Sequence, residues 1–125
     1  MLKKITTTIV AMLFLAVSFG AAAEPVTMVF SCKLKDGHTK EEAMAVNAKW
    51  LKWARATAGT DEITSSYVTT VIGDLEGFLW VDNYPSAAAW AKLADSESGL
   101  DEEFDALSTC SSNRMYRGEE TVPAK

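Results

Sequence analysis

From Val26 to Lys35 the side chains alternate, with Met28, Phe30, Cys32 and Leu34 on one side and Thr27, Val29, Ser31 and Lys33 on the other. A period of two predicts a strand, and the lysine-free side is the one expected to meet helices. After the tight connection Asp36-Gly37-His38, Thr39 and Glu42 have the spacing of a capping box, so a helix is expected from Lys40 to Ala58. Gly59 suits the left-handed turn that ends helices. Within that helix Ala43, Val46, Trp50, Trp53, Ala54 and Thr57 form one apolar stripe, while Lys49, Lys52 and Arg55 fall on the wet side.

The next run, Ile63 to Ile72, has the Thr, Ser, Val and Tyr content of a strand with imperfect alternation. A five-residue hairpin, 73–77, then leads into Gly77 to Tyr84. Here Phe78, Trp80, Asp82 and Tyr84 alternate with Leu79, Val81 and Asn83, giving an aromatic face that carries one carboxylate and a mostly aliphatic face. Two unlike apolar faces predict a sheet covered on both sides. Pro85 cannot join a ladder and ends the strand; Ser86 is placed to cap a second helix that buries Ala87, Trp90, Ala91 and Ala94. A break at 96–99 precedes a short third helix, with Ser98 as its cap and Leu100, Phe104 and Leu107 inward. Thr109 to Gly118 forms the last strand and 119–125 a flexible tail.

Residues 1–23 have the three parts of a secretory signal: Lys3 and Lys4, an uncharged run from Ile5 to Phe19, then Gly20-Ala21-Ala22-Ala23. Export to the periplasm or medium is expected, with cleavage after Ala23 and no membrane attachment afterwards. The chain has 12 basic and 17 acidic side chains; without the two signal lysines, 10 basic groups remain against 17 acidic, a net −7. That balance argues against a nucleic-acid partner, which demands a basic face.

The order strand, helix, strand, strand, helix, strand over 24–118 predicts an α+β domain of ferredoxin-like βαββαβ type, an antiparallel sheet with helices on one face. The segments 48–54 and 88–94 echo each other, as a duplicated unit would. Cys32 and Cys110 are the only cysteines. In an oxidising compartment an even count reads first as one disulfide, with two buried thiols or redox chemistry as alternatives. The ferredoxin-like order makes the first and last strands antiparallel neighbours, which would bring these two cysteines together. With His38 alone beside them, they are too few for a metal site.

The segment Phe78 to Ser96, with Gly99 to Leu107 after it, resembles the strand-to-helix signature of the dimeric α/β-barrel superfamily, which includes antibiotic-biosynthesis monooxygenases and haem-degrading relatives. The resemblance implies a homodimer of sheets packed face to face and a cavity for a small organic ligand. Haem-degrading members use a first-strand asparagine where this chain has Ser31 or Cys32, a tryptophan where it has Tyr84, and a histidine in or after the second helix. No histidine occurs here beyond His38, so no cofactor is expected.

Asp82 among Phe78, Trp80 and Tyr84 is the candidate chemistry: desolvation raises a carboxylate's pKa toward that of a general base, with the Tyr84 phenol as donor. Asp82 could equally sit solvated at the strand end or pair with a lysine such as Lys33. Phe78, Trp80, Asn47 and Ser31 are the candidate ligand contacts, and His38 reads as a loop residue. No nucleophile elbow, P-loop, dinucleotide fingerprint or zincin motif occurs, so whether the chain is an enzyme stays open. The leading expectation is a small-molecule-binding module. The alternatives are a cofactor-independent monooxygenase or isomerase acting on an aromatic substrate, and a prosegment-like interaction protein.

Overall fold

The structure is a computed structural model that describes residues 24–119 and 121. The signal segment 1–23 lies outside the described residues, as does most of the tail. Seven elements succeed one another: β1 (Val26–Leu34), α1 (Lys40–Ala58), β2 (Thr64–Thr69), β3 (Gly77–Tyr84), α2 (Ala87–Ala94), α3 (Asp101–Leu107) and β4 (Ser108–Tyr116). The strands form one antiparallel sheet in the order β2-β3-β1-β4. Each βαβ unit thus straddles a strand of the other, and the domain has the expected α+β ferredoxin-like topology.

Local chemistry fixes the helix ends. Thr39 Oγ1 accepts from the Glu42 amide at 3.2 Å, and the Glu42 carboxylate accepts from the Thr39 amide at 2.7 Å, closing the capping box. Gly59 ends α1 at φ +70°, where its amide donates to the Arg55 carbonyl. Ser86 caps α2 through the Ala89 amide at 3.1 Å.

Elsewhere the structure departs from the pattern. In α2 the buried residues are Ala89 and Leu93, not Ala87, Trp90, Ala91 and Ala94. Every position of Ala87–Ala94 except Lys92 is apolar, so the sequence defines no single inward stripe and tertiary contact selects one. Leu100, not Ser98, holds the cap position of α3, and Ser98 Oγ accepts from the Leu100 amide at 3.2 Å. The β2 strand stops at Thr69, opposite Phe78. Residues 70–76 have no facing strand, and Val71 and Ile72 stand 87% and 92% exposed.

The helices cover one face of the sheet, where alternation lines up the strands in rows. Phe78 lies beside Cys32, which has Cys110 on its other side; Trp80 lies beside Tyr67 and Phe30, Asp82 beside Ser65 and Met28, and Tyr84 beside Val26. Beneath the helices these residues divide into two apolar clusters. One gathers Val26, Ile63 and Tyr84 with Ala54, Ala58, Ala89 and Leu93 from the helices. The other gathers Cys32, Phe78 and Trp80 with Ala43, bordered by Tyr67 and Phe104.

Cys32 and Cys110 are directly paired in the ladder and joined by a disulfide with Cα atoms 3.9 Å apart. The register shifts between Ser31 and Cys32, leaving Ser111 as the extra residue of a bulge on β4. The bulge resets the alternation of β4. Cys110 faces inward beside Cys32, while Ser112, two positions on, lies opposite outward-facing Ser31.

Candidate functional site

Between the sheet and helices α1 and α3 lies a cavity of about 300 Å³. Phe30 of β1 and Trp80 of β3 form its sheet side, and Trp50 of α1 and Phe104 of α3 its helix side. Asp82 and Asn47 supply polar groups from β3 and α1. Ser108 and Cys110 border it from the start of β4, and Asp101 and Asp105 border it from α3. The aromatic wall continues as an edge-to-face series. Trp80 meets Phe104 at 6.4 Å and 81°, Phe78 at 5.5 Å and 90°, and Tyr67 at 5.2 Å and 88°.

Asp82 belongs here because strand periodicity puts positions 78, 80, 82 and 84 on one face, and the helices cover that face. It is 4% exposed. Its Oδ1 accepts from Ser65 Oγ at 2.5 Å, and Ser65 Oγ accepts from Asn47 Nδ2 at 2.9 Å. Ser65 is the direct cross-strand partner of Asp82, so the first contact comes from register. A polar line from helix to sheet therefore lies among apolar surroundings.

Burial pushes the Asp82 carboxyl up to about 6, against the opposing pull of the Ser65 hydrogen bond. A carboxylate so tuned exchanges protons near neutral pH, as a general base must. Tyr84 is raised well above the ordinary phenol range, first by burial and then by the charge of Asp82.

The fold brings together Asp82, Trp80 and Asn47 from the sequence candidates. Phe78 stands behind them, stacked on Tyr67 at 4.2 Å. Two candidates lie elsewhere. Tyr84 is in the apolar cluster with Ile63 and Leu93 instead of on the cavity wall. Ser31 falls on the opposite face because it alternates with Phe30 and Cys32, and it borders a separate groove with Thr70 and Ser111. Lys33 pairs with Asp74 at 3.4 Å and Glu76 at 3.8 Å, leaving Asp82 without that partner. His38 is in the turn before α1, its Nδ1 3.4 Å from Glu42.

Sequence reasoning missed Ser65, Phe30, Phe104 and the two aspartates of α3. The expected hairpin closes Ile72 onto Phe78 and sets Val68 opposite Asp82; Ser65 becomes its partner only because the strand ends at Thr69. The α3 residues depend on where a seven-residue helix docks, which no local signal fixes.

No family model matches the chain, and neither does any curated protein. Solved structures do. The cofactor-independent oxygenase SnoaB of Streptomyces nogalater superposes with a TM-score of 0.59 at 15% identity, over 82% of this chain and all of its own. The hydroxynitrile lyase of Passiflora edulis gives 0.54 at 16% identity, over 80% of this chain and 98% of its own. An uncharacterised NIPSNAP-like domain protein of Burkholderia xenovorans gives 0.53 at 15%, over 81% and 90%. At 15–16% identity these are likenesses of fold, and they agree with the α+β ferredoxin-like topology of the chain. Among the described residues no helix is long and apolar enough to cross a membrane.

Proposed function

We propose that this chain is an exported small-molecule-binding protein whose ligand occupies the cavity between the sheet and helices α1 and α3. The observation that carries the reading is a buried carboxylate, Asp82, opening onto about 300 Å³ of aromatic-walled space. A concave, largely apolar space with a few convergent polar groups is the form that small-molecule sites take. Trp50 and Trp80 line the space, so a true ligand changes intrinsic fluorescence. A flat response across a broad metabolite library counts decisively against it.

Export is supported by the charged, apolar and small-residue order of 1–23 and by the cross-strand disulfide, which persists in oxidising compartments. Protein recovered from the cell envelope or medium is expected to begin at Glu24 and to carry no free thiol, as read by intact mass with and without alkylation. A mature chain that still carries Lys3 and Lys4 would refute the cleavage.

A second reading is favoured by the raised pKa of Asp82: a cofactor-independent oxygenase or isomerase with Asp82 as base and Trp80 positioning an aromatic substrate. SnoaB is described as a cofactor-independent oxygenase, and its fold is shared here. In this reading Asp82→Asn abolishes turnover of phenolic or quinone substrates while Trp fluorescence still reports binding. If the wild type turns over none of them, enzyme status fails and the binding module remains.

A further inference from the structure

The lining of the same cavity bears on the charge of its occupant, an inference that rests on the binding-module reading. Phe30, Trp50, Trp80 and Phe104 present aromatic surface from both sides, and the negative faces of such rings attract cations. Three carboxylates border the space, Asp82 at its buried side and Asp101 and Asp105 exposed on α3, one turn apart. No lysine, arginine or histidine lines it. Of the nearby cations, Lys49 pairs with Glu103 at 3.0 Å, while the Lys35 ammonium lies at the rim, donating to the main-chain carbonyl of Asp105 and not to its carboxylate. Among the described residues no ion pair reaches Asp82, Asp101 or Asp105.

Asp82 is the most telling of the three. Its Oδ1 takes the Ser65 hydroxyl, while no hydrogen bond reaches its Oδ2 among the described residues. A buried carboxylate half satisfied beside an open, aromatic-walled volume is a place where a positive ligand relieves a desolvation cost. Among the described residues, no three His, Cys, Asp or Glu side chains are grouped closely enough to hold a metal ion. The negative charge is instead spread around an apolar lining, which fits a cation whose charge is spread over carbon and hydrogen.

We infer that the cavity binds a small organic cation, an amine or quaternary ammonium group on an apolar or aromatic body, with Asp82 as the counter-ion, the four rings as walls and the α3 aspartates attracting the charge at the entrance. Three probes of similar bulk and different charge test this on the disulfide-bonded protein: benzyltrimethylammonium, benzyl alcohol and benzoate, each titrated calorimetrically and by Trp fluorescence. The cation is expected to bind about tenfold or more tightly than the alcohol, a difference of about 1.4 kcal/mol, with benzoate weakest. Asp82→Asn should remove most of that preference. The exposed pair Asp101→Asn with Asp105→Asn, which does not depend on tolerance in the core, should weaken the cation severalfold at low salt, less at high salt, and leave the alcohol unchanged.

If the alcohol or benzoate binds as tightly as the cation, the charge assignment is overturned while the cavity remains a binding site. Silence from all three probes with a hit in the metabolite library likewise removes only the cation. Silence from both removes the binding module beneath it.

Discussion

Asp82 shows how a single residue couples site and stability. Its native pKa of about 6 lies above the ordinary 3.8, so between these values the folded protein holds the proton more tightly than the unfolded chain does. The stability this contributes is fully present below pH 3.8 and is lost as pH rises through 6. At about 1.4 kcal/mol per pH unit, the gap amounts to about 3 kcal/mol. Asp82→Asn should therefore flatten the difference in urea midpoint between about pH 4.5 and about pH 7.5 and be the more stable protein at the higher pH. An unchanged slope would mean that the carboxylate is well solvated. Ser65→Ala works in the opposite sense for the site: it removes the bond that lowers the Asp82 pKa, so titration of the carboxyl by NMR should move above 6. Asp82 was legible as a candidate because strand alternation alone puts it with the aromatics. Its supporting Ser65 was not, since a serine in a polar-rich edge strand has no feature that marks it until the register is known.

At the scale of elements, the helix that the sequence defined best is α1, and its reciprocal cap is the reason. Thr39→Ala leaves the Glu42 amide without its side-chain acceptor and should cost about 1 kcal/mol, read as a lowered urea midpoint, with helicity and the Asp82 titration unchanged. The disulfide acts between elements. It ties the central strand β1 to the edge strand β4 across a sequence separation of 78. Its loss in Cys32→Ala with Cys110→Ala is expected to lower stability by about 2–4 kcal/mol. Reductant should then lower the midpoint of the wild type and leave the double variant unmoved; equal responses would show that the bridge does not form in the protein. By contrast α2, apolar at nearly every position, had no legible inward face, because a stripe exists only where polar residues bound it. The β2–β3 connection was read too short for a related reason: Val71 and Ile72 have strand composition, but a strand also needs a partner, and residues 70–76 have none.

For the whole molecule, the second face of the sheet bears on assembly. On it Val81 lies beside Ser66 and Val29, and Leu79 beside Val68 and Ser31, flanked by the hydrogen-bonded row Thr27, Asn83 and Thr64. Val29, Leu79 and Val81 stay partly exposed in the single chain, and Val68 is 38% exposed. An apolar sheet centre of this kind supports the proposal that two copies pack sheet to sheet. Sedimentation equilibrium is expected to give a dimer, and Val81→Asp a monomer that retains cation binding, since the cavity lies on the other side of the sheet. A monomeric wild type at high micromolar concentration would remove the homodimer and leave the cavity proposals standing.

The amino-acid sequence by itself determined the order of elements, the faces of the central strands, the caps of α1 and α2 and the meeting of Cys32 with Cys110. All of these come from period, turn chemistry and topology, which are local or combinatorial. Only the tertiary structure decided which of the aromatic-face residues open onto space and which are packed solid: it put Asp82 and Trp80 on a cavity, Tyr84 in the core and Ser31 on the far face. The physical reason is that a cavity is a deficit of packing. It depends on where α1 and α3 come to rest over the sheet, and so on side-chain volumes summed across elements far apart in the chain.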